Sequence, residues 1–169
     1  MTETLTGNPF TADAITQTAL EAAQKRPDFW VGYSGETITG AETADFLHDL
    51  QEVLEKRGWI RSFRDDDPQV PEPDESLSVK AMILTLWRYA REVLEQNRGP
   101  LTLGYARFEV NDQDVIWVVD RVLNALVAAR TGTSSAQASA WASRRSRTWD
   151  DVRDLLTAAA AFARTHGPR

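Results

Sequence analysis

At 169 residues, 42% apolar and 26% charged, the chain suits one domain with one hydrophobic core and has too many large apolar groups for a disordered segment. A formal net charge of −6 argues against a nucleic-acid-coating protein, and the absence of cysteine removes disulfides, thiolate catalysis and cysteine-type zinc sites. The apolar run at 115–119 is broken by Asp120 and Arg121, and Met1-Thr-Glu-Thr-Leu5 lacks the basic and apolar parts of a secretory signal, so a cytoplasmic protein without a membrane span is expected.

Residues 1–10 are polar, contain Gly7 and Pro9, and read as a flexible tail ahead of a single helical domain over 11–167. Thr11 is placed to cap a first helix that Pro27 stops. Its inner face is mostly alanine (Ala12, Ala19, Ala22 and Ala23 around Ile15), so it buries little area and should be the weakest helix. Aromatic and β-branched residues on either side of Ser34-Gly35 fit a short β-hairpin near 29–39 or an irregular loop pinned by Phe29 and Trp30. Thr39-Gly-Ala-Glu42 is a capping box that opens a helix to about Arg57, with Phe46, Leu47, Leu50, Val53 and Leu54 on one face. Gly58 is its expected left-handed stop, with Trp59 turned back onto Leu54.

The Pro/Asp-rich stretch at 60–76 reads as an exposed excursion. Asp74 or Ser76 would cap a third helix ending before Gly99-Pro100, and its broad apolar arc predicts burial between several neighbours. Residues 101–110 give no clear signal. Asn111 or Asp112 caps a helix to about Arg130 with Val115, Val118, Val119, Val122, Leu123 and Leu126 inward, followed by a Thr/Ser/Gly linker over 131–139. Thr148-Trp-Asp-Asp151 is a second capping box, with Asp in place of Glu, and opens a last helix ending near Gly167. The predicted fold class is all-α, a compact bundle of about five amphipathic helices.

Two segments carry a resemblance. One is Arg57-Gly58-Trp59 after an acidic amphipathic helix. The other is Trp141, a short basic spacer, Arg147-Thr148, and the helix containing Val152, Leu155 and Leu156. Together they resemble an uncharacterised family of small helical proteins from actinobacteria and their phages. In that family the tryptophan is typically followed by Asn-Asp, where this chain has Ala142-Ser143, and a cysteine-containing mid-helix pattern of the family is missing. The resemblance implies a helical fold and a taxonomic setting, and no activity. Lys25, Lys56 and Lys80 are the only lysines among 19 basic residues, an arginine bias that suits a GC-rich genome.

Candidate chemistry is sparse. His48 and Glu52, one turn apart on an acidic face with Asp45 and Asp49, fall short of the three or four converging ligands a metal needs, so no metal site and no cofactor are expected. Asp65-Asp66-Asp67 lacks the alternation and turn glycine of a calcium loop and reads as a charged loop tip. Gly32-Tyr-Ser34-Gly-Glu36 lacks the final glycine and the histidine partner of a nucleophile elbow. Arg144, Arg145 and Arg147, between Trp141 and Trp149 and just ahead of a helix, could hold an anion or stack a base. Trp117 lies opposite the apolar stripe of its helix, beside Arg121 and Asn124, so either another segment covers it or it is offered to a partner. The leading expectation is a non-enzymatic interaction or accessory protein, with the phage setting that the resemblance above implies, that meets a protein partner or a second copy through Trp117, Arg121, Asn124, Trp141 and Trp149. Anion or nucleic-acid binding by the arginine cluster ranks second, with nucleic acid disfavoured by the charge, and an enzyme of unidentified reaction third.

Overall fold

Both capping boxes form. In the computed structural model, which describes residues 7–62, 71, 76, 78–97, 99–110 and 112–169, helix α2 (Gly40–Arg57) starts with the Glu42 N–H donating to Thr39 Oγ1 at 3.2 Å and the Thr39 N–H donating to Glu42 Oε2 at 2.8 Å. Helix α7 (Trp149–His166) repeats the exchange between Thr148 and Asp151 at 3.3 and 2.9 Å. Each pair satisfies two N–H groups that the first turn would otherwise leave bare.

Seven helices are present among the described residues, and no sheet. Besides α2 and α7 they are α1 (Asp13–Gln24), α3 (Val79–Asn97), α4 (Leu103–Glu109), α5 (Gln113–Thr131) and α6 (Ala138–Ala142). The fold is all-α, as predicted, but with two helices more than the sequence suggested. Helix α4 falls in the unassigned stretch and is capped by Thr102, whose Oγ1 accepts the Tyr105 N–H. Helix α6 occupies part of what reads as a linker. The expected hairpin is one antiparallel bridge, Val31 to Thr37, in an otherwise irregular loop that buries Phe29 and Ile38.

The core is organised around α5, which packs on α1, α2 and α7, while α2 and α7 form the most extensive pair. Val118, Val119, Val122 and Val127 of α5 are fully buried, as are Leu47, Leu50 and Leu54 of α2 and Val152, Leu155 and Leu156 of α7. The valines of α5 favour strand locally. Their helical spacing, the Asp112 cap on the Val115 N–H and the left-handed Gly132 at the far end prevail.

Three local expectations change. Helix α1 follows Ala12, which makes no side-chain cap bond, while Thr11 Oγ1 donates to the Asn8 carbonyl. The stretch read as a tail is fixed to the body from Asn8 onward, since Asn8 Nδ2 donates to the Asp154 carbonyl at 2.7 Å and Phe10 is 1% exposed. Gly58 has the positive φ expected of it (+88°) but leaves the helix extended, and Trp59 bridges Leu101 in parallel while its side chain packs against the core. No helix among the described residues is long and apolar enough to cross a membrane.

Candidate functional site

Trp117 projects from α5 and is 49% exposed. Its ring neighbour is Tyr33 of the 29–39 loop, 5.5 Å away between centroids and itself exposed. The loop is held to α5 by Asp114, whose Oδ1 accepts the Ser34 N–H at 2.7 Å; the Ser34 hydroxyl first and its N–H second hold the Asp114 carboxyl below its ordinary range. Arg121, one turn along α5, donates to the Asp28, Phe29 and Val31 carbonyls and stands 6.0 Å from the Trp117 ring. Asn124 Oδ1 accepts the Ala138 N–H at 2.7 Å and so positions α6. Arg121 and Asn124 therefore act chiefly on their own chain, although both also border an open groove of about 520 Å³ between α1 and the end of α5.

Trp141 and Trp149 are interior rather than displayed. Trp141 is 5% exposed and meets Phe10 edge to face at 5.4 Å. Trp149 is half-buried against Trp59 at 6.5 Å. The arginine cluster divides: Arg144 and Arg145 are exposed, whereas the Arg147 guanidinium lies 4.2 Å from the centre of the Trp141 ring. Arg130, at the end of α5, approaches the same indole to 5.9 Å and Phe10 to 4.4 Å. Sequence spacing could not find Arg130, because α5 and α6 bring it to Trp141 only in the fold.

The largest departure from expectation is α3. It is not among the helix pairs that build the body, and of the arc predicted to be buried Val79, Met82, Ile83, Leu86, Ala90 and Leu94 are exposed, while Tyr89 and Val93 are partly covered. Val79, Ile83, Leu86, Trp87 and Leu94 follow one another at helical spacing on that face, and Trp87 is 59% exposed. Ala81, Thr85, Tyr89 and Val93 form the partly covered line. Periodicity identified the apolar arc correctly; it carries no information about what meets that arc.

Other candidates resolve into local structure. His48 Nε2 lies 3.5 Å from Glu52 Oε1 in an exposed pair on α2. Ser34 Oγ accepts the Glu36 N–H and so stabilises a turn at Gly35, where φ is +87°. Asp65-Asp66-Asp67 lie outside the described residues. Arg107 and Asp120 form a close ion pair at a cavity of about 90 Å³ bordered by Leu50, Leu103, Gly104 and Ser139. Burial raises the Asp120 carboxyl above its ordinary value, against the pull of Arg107. No second carboxylate borders that cavity among the described residues, so the acid–base pair needed for glycoside-type hydrolysis is not assembled there.

Residues 39–162 match the model of a family of unknown function, DUF6197, and the chain belongs to that family. The match runs from the Thr39 cap to Phe162 and takes in α3 together with α2, α5 and α7. No curated protein and no solved structure matches the chain.

Proposed function

We propose that this member of a family of unknown function is a non-enzymatic interaction or accessory protein that pairs with a second copy of itself through the exposed face of α3. The observation that carries this reading is the uncovered stripe Val79, Ile83, Leu86, Trp87 and Leu94. From first to last residue it runs about 22 Å at 1.5 Å per residue. Covering it, with Met82, would remove on the order of 600 Å² of apolar surface per chain, most of the roughly 800 Å² per partner in a standard interface. Isolated exposed apolar side chains are ordinary, but a continuous stripe on a helix outside the core is what marks an interaction surface.

The second copy is favoured over an unrelated partner because a two-fold axis at the middle of the stripe sets apolar residues against apolar residues, Ile83 of one chain meeting Ala90 of the other. A two-fold axis at Leu86 and Trp87 sets Val79 of one chain against Leu94 of the other, which gives the self-complementary contact of a dimer. Trp87 then sits at the centre, where large aromatic anchors contribute most. Trp117 with Tyr33 forms a second exposed aromatic patch, which we assign to contact with a further partner. The setting we attach to this reading is the cytoplasm of an actinobacterium or its phage, on the strength of the arginine bias.

Sedimentation across a concentration series tests the proposal. The wild-type chain should move from monomer to dimer, and Leu86→Glu should remain monomeric with an unchanged helical circular-dichroism spectrum. A wild-type chain that stays monomeric throughout, or a Leu86→Glu variant that still dimerises, would overturn it.

A further inference from the structure

Two arginines share one indole, and neither has a carboxylate partner among the described residues. Arg147 and Arg130 both lie against the Trp141 ring, yet neither forms an ion pair among the described residues. Two of the nearby acids are engaged elsewhere: Asp150 pairs with Arg153 at 2.7 Å, and Asp151 closes the Thr148 capping box. Arg130 feels Asp151 and Asp154 only at a distance, and its guanidinium is pushed below its ordinary value by burial first and by the Arg147 charge second. Three donor nitrogens here are buried without an acceptor among the described residues: Trp141 Nε1, Arg130 Nη1 and Arg147 Nε.

The surroundings add to the positive charge. Arg61 Nε donates to the Arg147 carbonyl at 2.8 Å, which brings a further guanidinium to this side of the molecule, and Arg144 and Arg145 stand exposed on the same connection. In a chain of net charge −6, the α6–α7 connection is thus a local positive field able to draw an anion inward. Contact with the rings of Phe10 and Trp141 offsets part of the cost of burying the cations. The mutual repulsion of Arg130 and Arg147 is offset only in part, by the more distant charges of Asp151 and Asp154, and a partly buried charge without an ion-pair partner is a costly arrangement. Both arginines keep part of their surface open to solvent.

We propose that Arg130, Arg147 and the Trp141 indole N–H form a binding site for a dianionic phosphate group, either free phosphate or the terminal phosphate of a small phosphorylated compound. Two guanidiniums match two negative charges, and the planar donor edges suit tetrahedral oxyanions with several acceptor oxygens. Arg144 and Arg145 raise the local concentration of the anion, and Arg147 fixes it. This site is independent of the α3 face, so either reading can fail without the other.

Thermal unfolding and calorimetry with inorganic phosphate, at ionic strength held constant with chloride, provide the test. Phosphate should raise the wild-type melting temperature saturably. Arg147→Gln should lose at least tenfold in affinity while melting no lower than wild type in chloride, since the substitution relieves the repulsion; a residue with only a structural role would lower the melt in both buffers. Trp141→Phe, which keeps an aromatic ring of smaller size and removes the N–H, should weaken phosphate binding as well. A nucleoside monophosphate and a single-stranded oligonucleotide form the other arms. Tighter binding of the monophosphate than of free phosphate would identify a phosphorylated small molecule as the source. No saturable phosphate effect, an equal effect in wild type and Arg147→Gln, or binding of the oligonucleotide alone would overturn the proposal.

Discussion

Gly40 and Gly167 pass so closely that neither position has room for a side chain. A Cβ on Gly40 would lie 2.2 Å from the Ala163 carbonyl oxygen, and one on Gly167 would lie 2.4 Å from the Gly40 Cα. The contact joins the first residue of α2 to the residue that ends α7, and the Gly40 N–H donates to the Pro168 carbonyl at 2.8 Å. The obstructing atoms are backbone and cannot rotate away. Gly40→Ala should therefore separate the ends of the most extensive helix pair and cost about 1–3 kcal/mol, as overpacking does. Urea unfolding would show a lower midpoint; an unchanged midpoint would mean that the two backbones are farther apart.

The α2 capping box gives a prediction on acid stability. Glu42 is held below the ordinary carboxylate range by the Thr39 hydroxyl first and the Thr39 backbone second. A carboxylate depressed in the fold adds stability that is present above its unfolded value, about 4.3, and is lost as pH falls through the folded value. Glu42→Gln should flatten the acid limb of the stability curve relative to wild type. Thr39→Ala should cost about 1 kcal/mol at neutral pH through loss of the cap. Melting temperatures measured between pH 3 and pH 7, a range chosen to bracket that unfolded value, would check both.

Leucines in the body and on α3 should respond in opposite ways. Leu155 is fully buried in α7, so Leu155→Ala should destabilise by about 2–5 kcal/mol. Leu86 is 52% exposed, and Leu86→Ala should change stability by no more than about 0.5 kcal/mol when measured in dilute, monomeric samples. Equal losses at the two positions would show that α3 belongs to the core after all.

Arg121 should act as a clamp. Its Nη1 reaches the Phe29 and Val31 carbonyls at 3.2 and 2.7 Å as well as that of Asp28, and its Nη2 lies 3.4 Å from Asp28 Oδ2. Arg121→Ala leaves those carbonyls without their donor. Amide hydrogen exchange over residues 28–38 should speed up while exchange in α2 and α7 stays at wild-type rates. Uniform acceleration across the chain would instead mean that the clamp supports the whole fold.

Helices α2, α5 and α7 are legible in the sequence because each combines a capping side chain, an unbroken apolar stripe and a definite end. Helices α4 and α6 are not, because seven and five residues are too few for a stripe to show. Asn8 was hidden for a different reason: its role depends on Asp154, far along the chain. The candidate site was less legible still. Trp117, Trp141 and Trp149 look alike as tryptophans outside the main stripes, yet one is displayed, one buried and one half-buried. Arg147 was noticed for its charge, but it lies on the Trp141 ring, which Arg130 and Phe10 also reach, an arrangement that only the tertiary fold assembles. For α3 the pattern located the apolar face and assigned it the wrong surroundings, since hydrophobicity within one chain cannot distinguish an inner core from an outer contact.

The segment carrying α3 leaves and re-enters the body at nearly one point. Arg57 donates to the Gly99 carbonyl, the Leu101 N–H to the Gly58 carbonyl, and the Ile60 N–H to the Leu101 carbonyl, so the two ends are fastened side by side. Closing a shorter loop across the same ends changes the entropic cost only slowly with length. The body can therefore keep its shape while the segment is exchanged, lengthened or removed. Such an arrangement uncouples the helical frame from the helix it carries, so a change in one need not disturb the other.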